Sequence, residues 1–336
     1  MKRNTDLDFI RAILIVLMIL IHIVSFGNTY PQLKAGILSF MMPTFLIITG
    51  YLVNIEKTGR QMGNYLKCLA LPYVIMVTGF SVLSYYMPVR DGITELSLSQ
   101  ICEKIFVTSI GPYWFIQTMI ICGTLYYFCF RGRNWNDLRK NYTKRDTYAS
   151  LFVFALTLLL ISETPALSAS AAAYYFIGVV IRQSKTEWNK LFRHEFFAII
   201  LWIYLLNHDD WYDWGSLAIV FSCWCCISTL LLLQHLLDAP ERFKDISPKI
   251  GKVAKVTNRI KDTLLYIGHN TLPIYLFHPI FTMAAKFYHP LFSWDPSEIC
   301  FALFTVILAI LGSIAIARIM EKTKLAYLFG KGKILR

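Results

Sequence analysis

Charge is scarce in this chain of 336 residues: Lys, Arg, Asp and Glu together make up 16%, where an ordinary soluble domain carries about 25%. A soluble globule has to cover its surface with solvated groups. With 56% hydrophobic residues and a mean hydropathy of +0.50, that cover is missing, and a soluble single-core protein is excluded. Acidic residues are scarcer still, 21 against 33 basic ones, for a net charge of +12. In a soluble protein this excess would raise nucleic acid as a partner; the positions of the cations, given below, point to a bilayer instead. Paired cysteines are lacking too. The eight cysteines lie mostly within apolar runs and show no secreted-scaffold spacing, so no disulfide framework is expected. Cys223, Cys225 and Cys226 have no His or carboxylate beside them, which favours packing over metal binding. There is no Walker loop, dinucleotide fingerprint, His-Glu-x-x-His motif or Gly-x-Ser-x-Gly elbow, leaving ATP hydrolysis, hydride transfer and zinc proteolysis without support.

Long apolar runs are abundant. A spanning helix needs about 20 mostly apolar residues, and ten such stretches, some short or interrupted, have cores near 10–26, 38–53, 68–86, 113–130, 151–161, 166–181, 196–206, 216–233, 272–285 and 299–320. The expectation is an all-α polytopic membrane protein of about ten transmembrane helices, one integral-membrane domain over 1–336 with no soluble domain. The first run follows Lys2 and Arg3 as a leader peptide would, but no small-residue cleavage site follows it, so it is read as a retained helix. Ten spans put both termini on one side, and 27 Lys and Arg fall on that side against four on the other, while acids split 12 to 9. By the positive-inside rule both termini are cytoplasmic. The longest loop, Gln234 to Thr271, is then cytoplasmic and carries Pro240, Pro248 and seven basic residues.

Ionisable residues within a membrane are costly and mark function by default. The first run holds Arg11 and His22, and eleven residues make about three helical turns, so both side chains leave one face about 16 Å apart. Taken singly, Arg11 also reads as snorkelling to the interface and His22 as an interhelical hydrogen bond. Asp8, three residues before Arg11, is spaced for an ion pair. His278 lies in the ninth run, and Pro279 after it frees the backbone carbonyl four residues back; packing and catalysis are both open to it. His194, His208, His235, His269 and His289 fall in loops or at helix ends, where solvation is the better reading. The acidic cluster Asp209, Asp210 and Asp213 beside His208 reads as an external surface loop. Thr49 and Gly50 close the second run and allow close helix packing. The fourth opens with Pro112, Tyr113, Trp114, Phe115 and Gln117; an interfacial aromatic belt suffices for Tyr113, and Gln117 leaves a lined cavity open.

These residues carry a resemblance. Leu7-Asp8-Phe9-Ile10-Arg11 followed by His22 resembles the Arg-x10-His signature of the acyltransferase 3 family of integral-membrane O-acyltransferases. Met42 to Leu52 is similar to that family's second-helix motif ending in Ser-Gly-Phe/Tyr-Leu, and Tyr113-Trp114-Phe115 and Ile267 to Pro279 agree with two later pieces. Thr49 stands where Ser is usual, and Phe45 is one phenylalanine where two or three are common. Four loose motifs in the family's order cover nearly the whole chain.

The resemblance implies transfer of an acyl group, often acetyl, from cytoplasmic acyl-CoA to a hydroxyl of O-antigen, capsule, common antigen, exopolysaccharide or another glycan, in the bacterial inner membrane. No permanently bound cofactor or metal is implied, and the oligomeric state is open. In this reading His22 is the general base toward the acceptor hydroxyl and Arg11 binds an anionic part of the donor. Asp8, Thr49, Tyr113, Trp114, Gln117 and His278 bind substrate or support the site. Direct transfer and a covalent acyl-enzyme both satisfy these residues. The rival from another class is a glycan exporter, and a third reading is a non-catalytic sensory or assembly subunit.

Overall fold

A computed structural model describes residues 4–87, 89, 91–131, 144–192 and 195–336. Lys2, Arg3, Arg90, Arg193 and the basic loop 132–143, all used in the charge count, lie outside the described residues, as does His194. Every regular element among the described residues is helical. In chain order these are α1 (Thr5–Ile21), α2 (Val24–Thr29), α3 (Pro31–Leu52), α4 (Gly59–Tyr86), α5 (Leu98–Phe106), α6 (Trp114–Phe130) and α7 (Lys144–Ser162). Then follow α8 (Ala169–Gln183), α9 (Trp188–Leu191), α10 (Phe196–Leu206), α11 (Leu217–Arg242), α12 (Pro248–His269), α13 (Thr271–Tyr288) and α14 (Ile299–Lys322).

Six of these segments are long and apolar enough to cross a membrane: α3, α4, Gly111–Phe130 around α6, α7, α11 and α14. The other four expected spans also hold helices. α1 has 17 residues, α8 has 15, α10 has 11 and α13 has 18. At about 1.5 Å per residue, α10 covers roughly half of a hydrocarbon core about 30 Å thick.

The helices group into two compact units. The first comprises Met1–Phe45, Thr186–Ala317 and Leu335–Arg336; the second comprises Leu46–Lys185 and Arg318–Ile334. In the first, α1 packs on α11, α12 and α13, and α10 packs on α11. The side chain of Asn4 accepts from the backbone N–H of Asp6 and Leu7 and so caps α1, whose first turn carries Asp6 and Asp8. A Cβ on Gly268 would overlap the Asp8 carbonyl, so only glycine lets the end of α12 meet the first turn of α1 backbone to backbone. In the second unit, α3 and α8 cross in the same way. A Cβ on Gly50 would collide with the carbonyl of Tyr175, and one on Gly178 with that of Ile47. α4 starts on a reciprocal capping box between Thr58 and Gln61.

Two expectations from the sequence are corrected. The first apolar run does not continue as one helix to Phe26: α1 stops at Ile21, Ile23 is extended, and α2 restarts at Val24. Hydropathy is blind to this break, which falls among the β-branched Ile21, Ile23 and Val24 around His22. The segment Gln234 to Thr271 is not a loop. α11 runs on to Arg242, and α12 fills most of the remainder. Its charges hid it from a hydropathy reading, although Ser247-Pro248 is a recognisable helix start in which the Ser247 side chain accepts from Lys249 N–H. The eight cysteines are free, with Cys122, Cys223, Cys225 and Cys226 buried.

Two predictions follow from this packing. Gly178→Leu forces two backbones apart at an overpacking cost of about 1–3 kcal/mol or more, whereas Gly79→Ala, with nothing within 4 Å of its new Cβ, is neutral or slightly stabilising. Size-exclusion profiles of heated, detergent-solubilised protein measure both, and equal survival of the leucine variant and wild type would refute the contact. Asp295, just before α14, accepts from the Ser297 hydroxyl and from the Ser297 and Cys300 N–H groups, and these bonds hold its carboxyl below the usual range. A depressed carboxylate contributes stability that is complete above its unfolded pKa, near 3.9, and is lost as pH falls through the folded value. The melting gap between wild type and Asp295→Ala should therefore be open at pH 7 and close under strong acid.

Candidate active site

The first unit contains Asp8, Arg11, His22 and His278. At the start of α1, Asp8 is 6% exposed and lies against the carboxyl end of α12 through the Gly268 contact. One carboxylate oxygen stands 3.5 Å from Arg11 Nη1, and the other 3.7 Å from His269 Nδ1. Arg11 Nη2 donates to the Thr271 hydroxyl. Asn270, 1% exposed, separates α12 from α13; its side-chain amide donates to the Tyr266 carbonyl, and its oxygen accepts from Arg336 N–H at 2.8 Å. The guanidinium is thus held by Asp8 in its own helix and by the first residue of α13. A side chain of this length loses much rotamer freedom when fixed from two elements. The ion pair expected from the Asp8 to Arg11 spacing is present, and His269, expected to be solvated, belongs to the cluster.

The two remaining histidines meet deeper along the helices. At the end of α1 the His22 N–H turns to the Ile19 carbonyl, leaving the Met18 carbonyl for the ring, whose Nδ1 lies 2.6 Å away. The same event occurs in α13. Pro279 has no N–H to give the Tyr275 carbonyl, and His278 Nδ1 approaches that carbonyl at 2.8 Å. A carbonyl only accepts, so each Nδ1 carries a proton, and in the neutral ring each Nε2 then presents a lone pair. The rings contact edge to face, with centroids 5.3 Å apart at 72°. His278 is fully buried and its Nε2 has no hydrogen-bond partner among the described residues. His22 is only partly exposed. Two neutral imidazoles in one tautomer, one of them reachable, can take up and return a proton.

The second unit contains Thr49, Tyr113, Trp114 and Gln117. Thr49 is half-buried beside Gly50 at the α3–α8 crossing. Tyr113 is fully buried, its ring 5.4 Å from that of Phe80 on α4. This corrects the interfacial-belt reading: a side chain closed off on all sides meets no headgroup. Trp114 is half-buried with its ring edge on Phe115. The Gln117 amide donates to the Phe106 and Val107 carbonyls at 3.3 and 3.2 Å, tying down the carboxyl end of α5.

Sequence reasoning did not nominate Thr271, Asn270 or Arg336. Thr271 and Asn270 stand inside the quoted Ile267 to Pro279 motif; Arg336 reaches Asn270 through a contact 66 residues distant that carries no local signal.

Asp8→Asn leaves the Arg11 charge without its counter-charge and Arg11→Gln does the reverse, each at a cost of about 1–3 kcal/mol. Because the two groups share one interaction, the double variant should lose less than the sum of the singles in thermal unfolding. Strict additivity would mean that the pair does not couple.

A family model described as an acyltransferase domain matches residues 4–318. Over 299 residues the chain is 24% identical to the nodulation protein NolL of Sinorhizobium fredii, covering 82% of this chain and 77% of that protein. No solved structure matches the chain. With nearly the whole chain matched, from the Asp8 and Arg11 cluster through the His22 and His278 pair to α14, this protein belongs to the acyltransferase 3 family.

Proposed function

We propose that the protein is a membrane O-acyltransferase of ten spans with both termini in the cytoplasm. It moves an acyl group, acetyl by preference, from cytoplasmic acyl-CoA to a hydroxyl of a cell-surface or lipid-linked glycan across the bacterial inner membrane. The observation that carries this reading is the pair of imidazoles whose Nδ1 protons are committed to the Met18 and Tyr275 carbonyls, leaving Nε2 of the partly exposed His22 as a base. The family match supports acyl transfer, and the excess of Lys and Arg on one side of the expected spans supports the orientation.

In this mechanism the acceptor hydroxyl gives its proton to His22 Nε2 as its oxygen attacks the thioester carbonyl. The tetrahedral adduct collapses, the carbon–sulfur bond breaks, and the departing thiolate takes the proton back, so the histidine ends as it began. His278 holds the His22 ring edge-on and leaves it one productive orientation. Arg11, fixed by Asp8 and Thr271, attracts an anionic part of the donor. It stands about 16 Å along α1 from His22, and so acts on the donor away from the reacting carbonyl. Thr49, Tyr113, Trp114 and Gln117 support the helices of their own unit.

The test compares base-labile esters on the surface glycans of a producing strain, its deletion mutant and a His22→Ala variant, by mass spectrometry, alongside free-thiol release from acetyl-CoA in membranes. General-base loss is expected to cost about 10²- to 10⁴-fold in transfer, and Arg11→Ala to raise the donor KM more than it lowers kcat. Full transfer by a correctly inserted His22→Ala protein would sink the mechanism. Unchanged esters with less surface glycan would indicate an exporter.

A further inference from the structure

Val253, Val256, Ile260, Lys252, Lys255 and Arg259 of α12 are exposed among the described residues and have no part in the chemistry above. At about 100° per residue, three faces can be read off its 22 residues. Ala254 and Gly268 are buried on one, where Lys261 pairs with Asp238 and Asn258 with Glu241 of α11. Val253, Val256 and Ile260 fall on a second and are 51%, 56% and 47% exposed. This apolar stripe continues through Ile246 and Phe243, 72% and 53% exposed, into an open cavity of about 420 Å³. Lys249 is the one charged residue lining it. Lys252, Lys255 and Arg259 occupy the third face, beside the stripe. None of these three, nor Lys249, forms an ion pair or side-chain hydrogen bond among the described residues. The helix carries a single acid, Asp262.

An exposed apolar stripe flanked by unpaired cations fits a surface with the opposite arrangement, acyl chains below and phosphates above. We propose that this side of α12 docks in the headgroup layer of an anionic phospholipid leaflet, with Val253, Val256 and Ile260 dipping toward the chains and Lys249, Lys252, Lys255 and Arg259 against the phosphates. The inference presupposes that the chain sits in a bilayer, but not that it transfers acyl groups. Through Gly268 the same helix reaches Asp8, and just past its end Thr271 of α13 meets Arg11, so the docked surface braces the cluster at the start of α1.

The probe is fluorescent phosphatidylglycerol, with fluorescent phosphatidylcholine as the neutral reference, titrated into the full-length protein in mixed micelles. Each basic residue near an anionic surface contributes roughly fivefold in affinity. Wild type should therefore prefer phosphatidylglycerol, and Lys252→Gln/Lys255→Gln/Arg259→Gln should lower that preference by at least about tenfold. Glutamine keeps the helix propensity of these exposed sites, so elution of the triple variant as wild type separates lost binding from lost folding. Lys322→Gln/Lys333→Gln, two cations elsewhere, should leave the preference unchanged. Val253→Ser/Val256→Ser/Ile260→Ser should weaken both lipids alike. An undiminished preference in the triple variant overturns the proposal, as does displacement of the label by free coenzyme A, which would place a nucleotide on this surface. Because the readout is lipid binding, a failure here leaves acyl transfer untouched, and a failure of acyl transfer leaves this surface standing.

Discussion

A backbone carbonyl inside an apolar bundle has no water to turn to, so any place where a helix ladder breaks must supply its own donor. The first unit breaks its ladder twice within reach of one spot. At His22 the backbone N–H shifts to Ile19 and strands the Met18 carbonyl; at Pro279 the missing N–H strands that of Tyr275. A histidine Nδ1 lies at each carbonyl. Structural need and chemical outcome coincide here: the bond that satisfies the backbone also fixes the tautomer, and the tautomer decides that Nε2 is the basic atom. The end of α1, the bond missing at Pro279 in α13 and the ring contact all meet at these two carbonyls.

The guanidinium cluster at the other end of α1 depends on a different economy, that of space. Gly268 removes the one side chain that would hold α12 off α1, and the chain then turns at Asn270 to deliver Thr271 to Arg11. Asp8, against whose backbone Gly268 packs, also supplies the counter-charge. A buried charge left alone is far more costly than a paired one, so backbone proximity and electrostatic pairing are coupled: an α12 displaced at Gly268 would carry His269 away from Asp8 and Thr271 away from Arg11. Asn270 is held from both sides, by its own helix at Tyr266 and by the backbone of Arg336.

The legible part of the fold was what lipid selects for. Apolar runs of membrane length placed a helix at each expected span because composition alone separates them from polar loops, and the Asp8 to Arg11 spacing announced its ion pair because helical neighbours three apart must meet. Pro279 likewise announced a freed carbonyl. What was not legible depended on two-sided surfaces or distant contacts. α12 is amphipathic and nearly half of its exposed side is charged, so a measure tuned to uniform apolarity reads it as a loop. The break at His22 sits in an unbroken apolar run. Tyr113 looked like a belt residue because its burial depends on Phe80 of α4, and Gln117 carries nothing in its own neighbourhood to point to the carbonyls of Phe106 and Val107.

The two imidazoles share a tautomer yet differ in access, and the difference assigns their parts in the proposed chemistry. His278 is fully buried with its Nε2 unpartnered among the described residues, whereas His22 is partly exposed. In the proposed chemistry the acceptor hydroxyl approaches the second. A buried unpartnered nitrogen is itself a cost of roughly 1–3 kcal/mol, which packing alone would not require, since leucine or methionine would fill similar space at no polar penalty. A histidine at 278 has two uses in the proposed chemistry: its Nδ1–H satisfies the carbonyl that Pro279 leaves free, and its ring lies edge to face with that of His22. In that chemistry His278 would be a positioning residue and His22 the catalytic one, although the sequence presents them as two similar histidines in two similar apolar helices.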